Sequence, residues 1–280
     1  MADTTFLLGG DLPVHRLAFG AMRLTGYGPA TDPAESIRIA RRAVELGVDF
    51  LDTADSYGLG ANEELLAAAL HPYPDGLVIG TKAGQCRPTA GEWIPLGRPE
   101  YLRQQVELNL RRLRLDRLDL FQLHRVDPQV PIDDQMGALR QLQQDGKIRH
   151  VGLSDVTVDQ IEAARATVAV VSVQNRYHLA DRGYEDVLTY CEREGIAFIP
   201  YLPIGGGRHP ELAATLAEIA GDLGATPAQV ALAWLLRRSP VTVPIPGTSS
   251  MAHLEENVAA RDLQLEPEQY DRLSAVGALD

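Results

Sequence analysis

The chain has 280 residues, of which 45% are hydrophobic and 23% are charged, a composition typical of a globular protein with a sizeable core. Its formal net charge of -12 argues against nucleic acids and anionic membrane surfaces as partners, because both require basic patches on the protein. No run approaches the roughly 18 apolar residues of a membrane span, and the N-terminus lacks the features of a secretory signal. We therefore expect a cytoplasmic protein.

Cysteine and histidine usage argues against a metal or redox centre. Cys86 and Cys191 lie far apart in the sequence and match no metal-binding or redox spacing. A reducing cytoplasm explains them without a disulfide. Five of the seven histidines are not assigned a role; they form no ligand cluster, and we therefore predict no metal site. They are His15, His71, His150, His178 and His209.

The chain begins with the pattern of a small hairpin. Residues 5–8 and 13–17 flank Gly9-Gly10-Asp11, which has the composition of a tight turn.

After this hairpin, one unit repeats: a short apolar run, a polar connection and a helical pattern. Such alternation implies parallel strands joined by right-handed crossovers. Eight strands closing into a barrel fit both the count and the length of about 250 residues for that architecture. The apolar runs are 17–22, 50–54, 77–83, 118–124, 148–154, 170–175, 197–204 and 242–247.

The helical patterns have recognisable starts. Asp32 precedes Pro33, and Thr157 precedes Gln160 at capping-box spacing. An additional helix is predicted from Thr226 to about residue 238, and segments 251–260 and 267–276 close the chain with further helices. We therefore predict one domain, residues 1–280, with the α/β fold of a (β/α)8 TIM barrel, an N-terminal β-hairpin and extra C-terminal helices. An open doubly wound sheet is the alternative, and the absence of Gly-x-Gly-x-x-Gly after the first strand weakens it.

Four polar side chains follow three successive strands at the end where barrel enzymes place their chemistry. Asp52 lies within the second apolar run, Lys82 near the end of the third and His124 at the end of the fourth, while Tyr57 lies just beyond the second. Each type alone is more often structural, but together they suit the reduction of a carbonyl. Hydride transfer leaves negative charge on oxygen, so an acid must supply a proton.

Tyrosine can be that acid if its environment favours the phenolate. A free tyrosine has a pKa of about 10, and a nearby ammonium lowers it. Lys82 is the candidate cation, with Asp52 as its counter-charge. His124 would donate a hydrogen bond to the carbonyl oxygen and orient the substrate.

These residues occur in segments that resemble the signature of the aldo-keto reductases. The segments are Phe50-Leu51-Asp52-Thr53-Ala54-Asp55-Ser56-Tyr57-Gly58, Thr81-Lys82, Gln122-Leu123-His124 and Val151-Gly152-Leu153-Ser154. The resemblance extends in order over essentially the whole chain. It implies a (β/α)8 barrel that binds a nicotinamide cofactor without a Rossmann motif, with Asp52, Tyr57, Lys82 and His124 as the catalytic tetrad.

The resemblance also implies positions for NADP(H). The family often has Asn after the Ser that Ser154 matches, whereas this chain has Asp155. The implied contacts are Ser154, Asp155 and Gln174 at the carboxamide, Tyr201 under the nicotinamide ring, Leu202, Pro203 and Ile204 beside the pyrophosphate, Gly247, Thr248, Ser249, Ser250 and His253 at the 2′-phosphate, and Glu256 and Asn257 at the adenine.

Two departures concern the choice of cofactor. Many family members have Lys where Gly247 stands and Arg where His253 stands, and both cations would hold the 2′-phosphate. Their absence leaves use of NAD(H) open. A helix N-terminus near Met251 with Thr248 and Ser249 before it suits a phosphate nonetheless.

The sequence says less about the substrate. Met22, Trp93 and Arg125 are predicted to line its pocket. We expect a monomeric NADP(H)-dependent reductase of a small-molecule aldehyde or ketone, with Tyr57 as general acid and pyridoxal as a minor possibility. The alternatives are a cofactor-binding redox sensor or accessory subunit, and a lyase that forms a Schiff base through Lys82. The pairing of Lys82 with a carboxylate disfavours the lyase, because it stabilises the charged lysine.

Overall fold

The structure is a computed structural model that describes residues 4–25, 32–89, 91–205 and 209–277. The chain opens with an antiparallel hairpin of strands β1 (Thr5–Leu8) and β2 (Leu12–His15), close to the predicted positions. Gly9 and Gly10 form its turn with φ angles of 61° and 83°, which glycine adopts without steric cost. Leu8 and Val14 are fully buried, and they belong to the same apolar cluster as residues from inside the barrel.

Seven parallel strands form the main sheet, and each lies within one of the predicted apolar runs. Neighbours in the sheet follow the order of the chain, so each crossover leads to the adjacent strand. The strands are β3 (Phe19–Gly20), β4 (Phe50–Asp52), β5 (Val78–Ala83), β8 (Leu118–Leu123), β9 (Ile148–Ser154), β10 (Val170–Gln174) and β11 (Ala197–Phe198). A second small hairpin follows β5 and consists of β6 (Gln85–Cys86) and β7 (Ile94–Pro95).

Residues 241–246 close the sheet into a barrel between β11 and β3. The Val243 backbone N–H donates to Phe198 O at 2.8 Å on one side. On the other side, Pro244 and Pro246 accept from the backbone N–H groups of Ala18 and Gly20, at 3.0 and 3.2 Å. The two prolines have no backbone N–H, so they cannot donate hydrogen bonds to β3. This segment therefore bonds to both neighbours without forming a regular strand, and the predicted eight-stranded barrel is confirmed.

Helices follow the strands around the outside of the barrel. Two of them, α7 and α8, lie between β11 and the closing segment, and two more follow it, as predicted. The helices are α1 (Pro33–Glu45), α2 (Ala61–Leu70), α3 (Pro99–Leu113), α4 (Ile132–Gln144), α5 (Val158–Arg165), α6 (Glu185–Glu194), α7 (Pro210–Leu223), α8 (Pro227–Arg238), α9 (Met251–Ala259) and α10 (Pro267–Val276).

The predicted helix starts are correct in detail. The Asp32 side chain accepts a hydrogen bond from Ala34 N at the start of α1, and Thr157 and Thr226 form capping boxes at the starts of α5 and α8. The sequence patterns did not indicate α2 or α6. Within the described ranges, no single helix has the length and apolar character to cross a membrane; α7 and α8 pass that test together but are bent by 93° at their junction.

Candidate active site

The four candidate catalytic residues meet at the carboxyl end of the barrel. Asp52 is the last residue of β4, Lys82 lies near the end of β5 and His124 directly follows β8. Tyr57 begins a short 3-10 helix (Tyr57–Gly60) after β4. A cavity of about 450 Å³ opens above them, and Asp52, Tyr57 and His124 line it.

Lys82 and Asp52 form a buried ion pair below the cavity. Lys82 is 0% exposed, and its Nζ donates to Asp52 Oδ2 at 2.6 Å and to the Thr53 carbonyl at 2.8 Å. Burial lowers the pKa of Lys82, and the charge and hydrogen bond of Asp52 oppose that shift. The second Asp52 oxygen accepts from Gln174 Nε2 at 2.9 Å and from Gln122 Nε2 at 3.3 Å. The sequence did not predict the Gln122 contact.

Tyr57 lies between this ion pair and His124. Lys82 Nζ is 5.2 Å from the centroid of the Tyr57 ring. The rings of Tyr57 and His124 are nearly perpendicular, with centroids 5.9 Å apart. Both side chains are more than nine-tenths buried, at 8% and 5% exposure. The sequence prediction that these groups converge is consistent with this geometry.

His124 is held as a neutral imidazole. Burial lowers its pKa well below the usual value, and the positive charges of Lys82 and Arg125 lower it further. Its Nδ1 lies 3.3 Å from Ser56 Oγ. If the hydroxyl donates to Nδ1, the proton of the neutral ring is on Nε2, which can then donate a hydrogen bond.

The opposite wall of the cavity contains many of the residues that the resemblance assigns to the cofactor. It lies across the barrel from β5, where β11 and the closing segment end. The predicted residues that line the cavity are Ser154, Gln174, Tyr201, Leu202, Pro203, Ile204 and Gly247. Gln174 also donates to Asp52, so it connects this wall to the ion pair.

Asp155 is occupied by protein contacts. Its Oδ2 lies 2.5 Å from Arg125 Nη2 and accepts from the Tyr201 hydroxyl at 3.1 Å. Its Oδ1 is buried and has no hydrogen-bond partner among the described residues. The residue has a φ of 50°, which is unusual for a residue other than glycine. One acceptor atom at this position therefore has no partner among the described residues, next to Ser154 in the cavity lining.

Apart from Gly247, which lines the cavity, the predicted 2′-phosphate and adenine residues lie on and before α9, beyond the cavity lining. Ser250 is the N-cap of α9, and its hydroxyl accepts from His253 N at 3.4 Å. Thr248 Oγ1 accepts from Ser250 N at 3.0 Å. Ser249, His253 and Glu256 are at least partly exposed, and Asn257 is buried.

The surroundings of Gly247 explain why this position lacks the Lys expected from the family pattern. A Cβ at Gly247 would lie 2.6 Å from the Gly20 carbonyl oxygen, and a Cβ at Gly20 would lie 2.8 Å from the Ile245 carbonyl oxygen. Such distances are far inside van der Waals contact. The close approach of β3 to the closing segment therefore requires glycine at position 247, where the resemblance to the family leads us to expect Lys.

The predicted substrate residues all line the cavity: Met22, Trp93 and Arg125. Trp93 follows the β6 strand, with its ring centroid 6.5 Å from that of His124. The Arg87 guanidinium lies 4.3 Å from the Trp93 ring centroid. Sequence reasoning did not identify Gln85, whose position three residues after Lys82 is the available signal, or Arg23, beside Met22; both line the cavity.

A second buried acidic group lies behind the ion pair. Burial, reinforced by the negative charge of Glu63, raises the pKa of the Asp55 carboxyl to about 8. Its Oδ1 has no hydrogen-bond partner among the described residues, and the Tyr101 hydroxyl is 3.5 Å from Oδ2. Glu63 accepts from Thr81 at 2.6 Å and from Arg112 at 3.0 Å. The part of the chain that the structure describes holds no group of three or more His, Cys, Asp or Glu placed to bind a metal ion.

Comparisons with known proteins agree with this architecture. The sequence profile of the Aldo/keto reductase family matches residues 16–278. An uncharacterized oxidoreductase of Schizosaccharomyces pombe is 48% identical over 96% of this chain and 88% of its own. Pyridoxine 4-dehydrogenase of Escherichia coli is 42% identical over 99% of both chains.

A solved structure shares the fold across nearly the whole length. The crystal structure of an aldo-keto reductase from Klebsiella pneumoniae in complex with NADPH superposes with a TM-score of 0.84 and 27% identity, covering 98% of this chain and 95% of the other. The family match, the full-length relatives and the barrel together show that this chain is an oxidoreductase of the aldo-keto reductase family.

Proposed function

We propose that this chain is an NADP(H)-dependent oxidoreductase that reduces the aldehyde or ketone of a small molecule to the alcohol, with Tyr57 as the general acid. The observation that carries the proposal is the buried Lys82–Asp52 pair placed 5.2 Å below the Tyr57 ring, at the base of a cavity that His124 also lines. The reverse oxidation would use the same groups.

The residues present fit a nicotinamide cofactor. Asp155 Oδ1, buried and without a partner among the described residues, is an acceptor for the amino group of a carboxamide. Ser154 and Gln174 lie on the same side of the cavity, and Tyr201 offers an aromatic face. NADPH, which is bound in the Klebsiella pneumoniae structure, supplies the hydride in such a reaction.

The N-terminus of α9 suits the 2′-phosphate. Its unpaired backbone N–H groups favour an anion, and the hydroxyls of Thr248, Ser249 and Ser250 precede the helix. No cation stands at Gly247, and His253 takes the place of the arginine found in many relatives. We therefore propose a preference for NADP(H) that is weaker than in members with both cations.

Tyr57 would give its proton to the carbonyl oxygen as negative charge develops there. The Lys82 ammonium stabilises the phenolate that remains, because the two groups are close and water is excluded. Asp52 holds the lysine in its charged form and fixes its position through a 2.6 Å hydrogen bond. Gln122 and Gln174 in turn fix the carboxylate through its second oxygen.

His124 would orient the carbonyl. As a neutral ring with its Nδ1 facing Ser56, it can donate from Nε2 to the carbonyl oxygen without competing as a proton source. Burial and the positive charges of Lys82 and Arg125 lower its pKa, which favours the neutral ring. General acid catalysis by tyrosine and hydrogen bonding by histidine therefore act on the same oxygen.

A Schiff-base lyase fits the site poorly. The Lys82 amine is not exposed to the cavity, and its protons are engaged by Asp52 and by the Thr53 carbonyl. A reactive lysine must lose its charge, which the carboxylate opposes.

Pyridoxal is our candidate substrate within this class. The full-length relative from Escherichia coli is named pyridoxine 4-dehydrogenase. The cavity contains a planar wall, Trp93, set edge-on to the His124 ring at 6.5 Å, which suits an aromatic aldehyde. Steady-state reduction of pyridoxal and of simple aliphatic aldehydes under the same conditions tests this choice.

The proposed function is tested by cofactor titration followed by turnover. Micromolar NADPH binding, detected by quenching of protein fluorescence, together with NADPH-dependent aldehyde reduction is expected. Tyr57→Phe should bind NADPH as the wild type does and lose at least about 100-fold in kcat, the usual scale for a general acid. Near-normal turnover by this variant would remove Tyr57 from the mechanism, and failure to bind either NADPH or NADH would overturn the proposed function.

A further inference from the structure

Gln85 is a buried amide that faces the cavity without a partner. It is 7% exposed, lies in β6 and lines the cavity together with Trp93 and His124. Its side chain makes no hydrogen bond to any described residue, although its backbone is held by the pairing of β6 with β7. An amide offers two donors and an acceptor, and a buried polar group normally satisfies at least one of them.

The other deeply buried glutamines show the contrast. Among the described residues, four glutamines are more than nine-tenths buried. Gln122 and Gln174 donate to Asp52, and Gln135 bonds to the backbone of Asp127 and Val130. Gln85 is the exception, and its unmatched amide lies where a ligand can reach it.

The position of Gln85 places it beside the substrate rather than beside the cofactor. It follows β5, three residues after Lys82, whereas Tyr201 follows β11, which lies four strands away in the eight-membered barrel. The residues proposed to hold the nicotinamide are therefore on the opposite wall. A carbonyl compound bound between His124 and Trp93 would meet Gln85 on its own side of the cavity.

We propose that the Gln85 amide is a specificity-determining group that binds a neutral hydroxyl on an aromatic carbonyl substrate. This inference rests on the proposed function and names the substrate class for the same site. Gln85 carries no charge, so it suits a hydroxyl better than an ionised group. The aromatic part of the class follows from Trp93, whose ring lines the cavity and contacts the Arg87 guanidinium at 4.3 Å.

A site with a buried hydrogen-bonding group discriminates strongly against analogues that leave it unpaired. Binding benzaldehyde would cover the Gln85 amide without replacing its hydrogen bonds to water, whereas a suitably placed hydroxyl would replace them. Selectivity for the hydroxylated compound should therefore depend on the amide. A residue of the same size without the amide should lose that selectivity.

The experiment compares Gln85→Met with the wild type on benzaldehyde and on 2-, 3- and 4-hydroxybenzaldehyde, with NADPH as reductant and at a pH below the phenol pKa values of the probes, so that each hydroxyl is neutral. For each enzyme, kcat/KM for each hydroxybenzaldehyde is divided by that for benzaldehyde. The intrinsic reactivity of the aldehydes cancels between the two enzymes, and the fraction of folded protein cancels within each preparation. We expect the substitution to lower this ratio by about 10-fold or more for at least one isomer.

The matched control is Gln144→Met, which removes an exposed amide from the last turn of α4 and should leave all ratios at wild-type values. Unchanged ratios in Gln85→Met for all three isomers would overturn the proposal. A binding ratio is obtained separately: the dissociation constant of benzaldehyde is divided by that of each hydroxybenzaldehyde, both measured by quenching of tryptophan fluorescence. If turnover is absent for every aldehyde, the proposed function has failed, while the binding ratios still decide the role of Gln85.

Discussion

The two walls of the cavity differ in how their side chains are held. We call the side with the proposed catalytic residues the catalytic wall, and the side with Tyr201, Leu202 and Ile204 the cofactor wall. On the catalytic wall, Asp52 accepts hydrogen bonds from Lys82, Gln122 and Gln174, and all four side chains are buried. On the cofactor wall, Leu202 and Ile204 are 49% and 43% exposed, and Asp155 keeps a buried oxygen without a partner among the described residues.

The difference supports the proposal that the catalytic groups are preorganised and that a bound cofactor completes the surface proposed for it. A charged pair in a buried site keeps its position without ligand because each partner holds the other. Exposed apolar side chains instead gain their contacts when a large molecule covers them. Substitutions on the catalytic wall should therefore affect both folding and turnover, whereas those on the cofactor wall should affect binding.

Lys82→Met should have the largest effect, because it leaves the Asp52 carboxylate buried without a cation. Removing one partner of a buried pair costs about 3–5 kcal/mol of stability. Turnover should also fall by at least about 100-fold, since Tyr57 loses the charge that favours its phenolate. Urea denaturation and steady-state kinetics measure the two effects.

The double variant Lys82→Met with Asp52→Asn separates the loss of stability from the loss of turnover. It removes the unpaired charge, so most of the lost stability should return while the activity stays low. A double variant as unstable as Lys82→Met alone would show that the pair does not explain the stability of this wall.

Asp55→Asn sharpens the comparison, because Asp55 is a buried carboxyl outside the cavity lining with one oxygen that has no partner among the described residues. Burial and the charge of Glu63 raise its pKa to about 8 in the folded protein, against about 4 when unfolded. The folded state therefore holds a proton that the unfolded state releases, and the stability of the wild type falls as pH rises between these values. Asparagine does not titrate, so the variant should not lose stability in this way as pH rises.

The variant should accordingly be more stable than the wild type by about 2–4 kcal/mol at pH 8.5, with a smaller gain at pH 5. Urea denaturation at several pH values measures the difference. Glu64→Gln, at an exposed neighbour of Glu63 on α2, is the control and should show little dependence on pH. A gain from Asp55→Asn that is equal at both pH values would contradict the assignment.

The sequence predicted the catalytic wall better than its surroundings, for a physical reason. Strand ends can be read from apolar runs, so the convergence of Asp52, Lys82 and His124 follows from the barrel alone. The helix α2 escaped prediction because it buries Asn62 and Glu63 as well as its leucines, and so shows no simple apolar stripe.

Other features depended on tertiary contacts that no local pattern contains. The partners of Gln122 and the missing partner of Gln85 are set by which strands become neighbours and by the hairpin of β6 and β7. The run 242–247 was predicted as the eighth strand. The chain does close the barrel there, over residues 241–246, but its two prolines leave the segment irregular. The loss of a lysine at position 247 could be seen in the sequence, while its cause, contact with Gly20, could not.

His253→Arg tests the cofactor wall and should have the smallest effect. His253 is exposed in the first turn of α9, near the hydroxyls that precede the helix. An arginine there would add a charge-assisted contact to the 2′-phosphate, worth about 1 kcal/mol at an exposed site, or roughly fivefold in NADPH affinity. NADH, which lacks that phosphate, should bind as before.

The control is Ala252→Arg, which adds a positive charge at the neighbouring exposed position of the same helix. A general electrostatic attraction would raise NADPH affinity in both variants, and added salt would weaken both equally. A contact made at position 253 would raise it mainly in His253→Arg. If NADPH and NADH affinities change together in His253→Arg, the 2′-phosphate does not lie at this end of α9. In that case α9 is not part of the proposed cofactor surface.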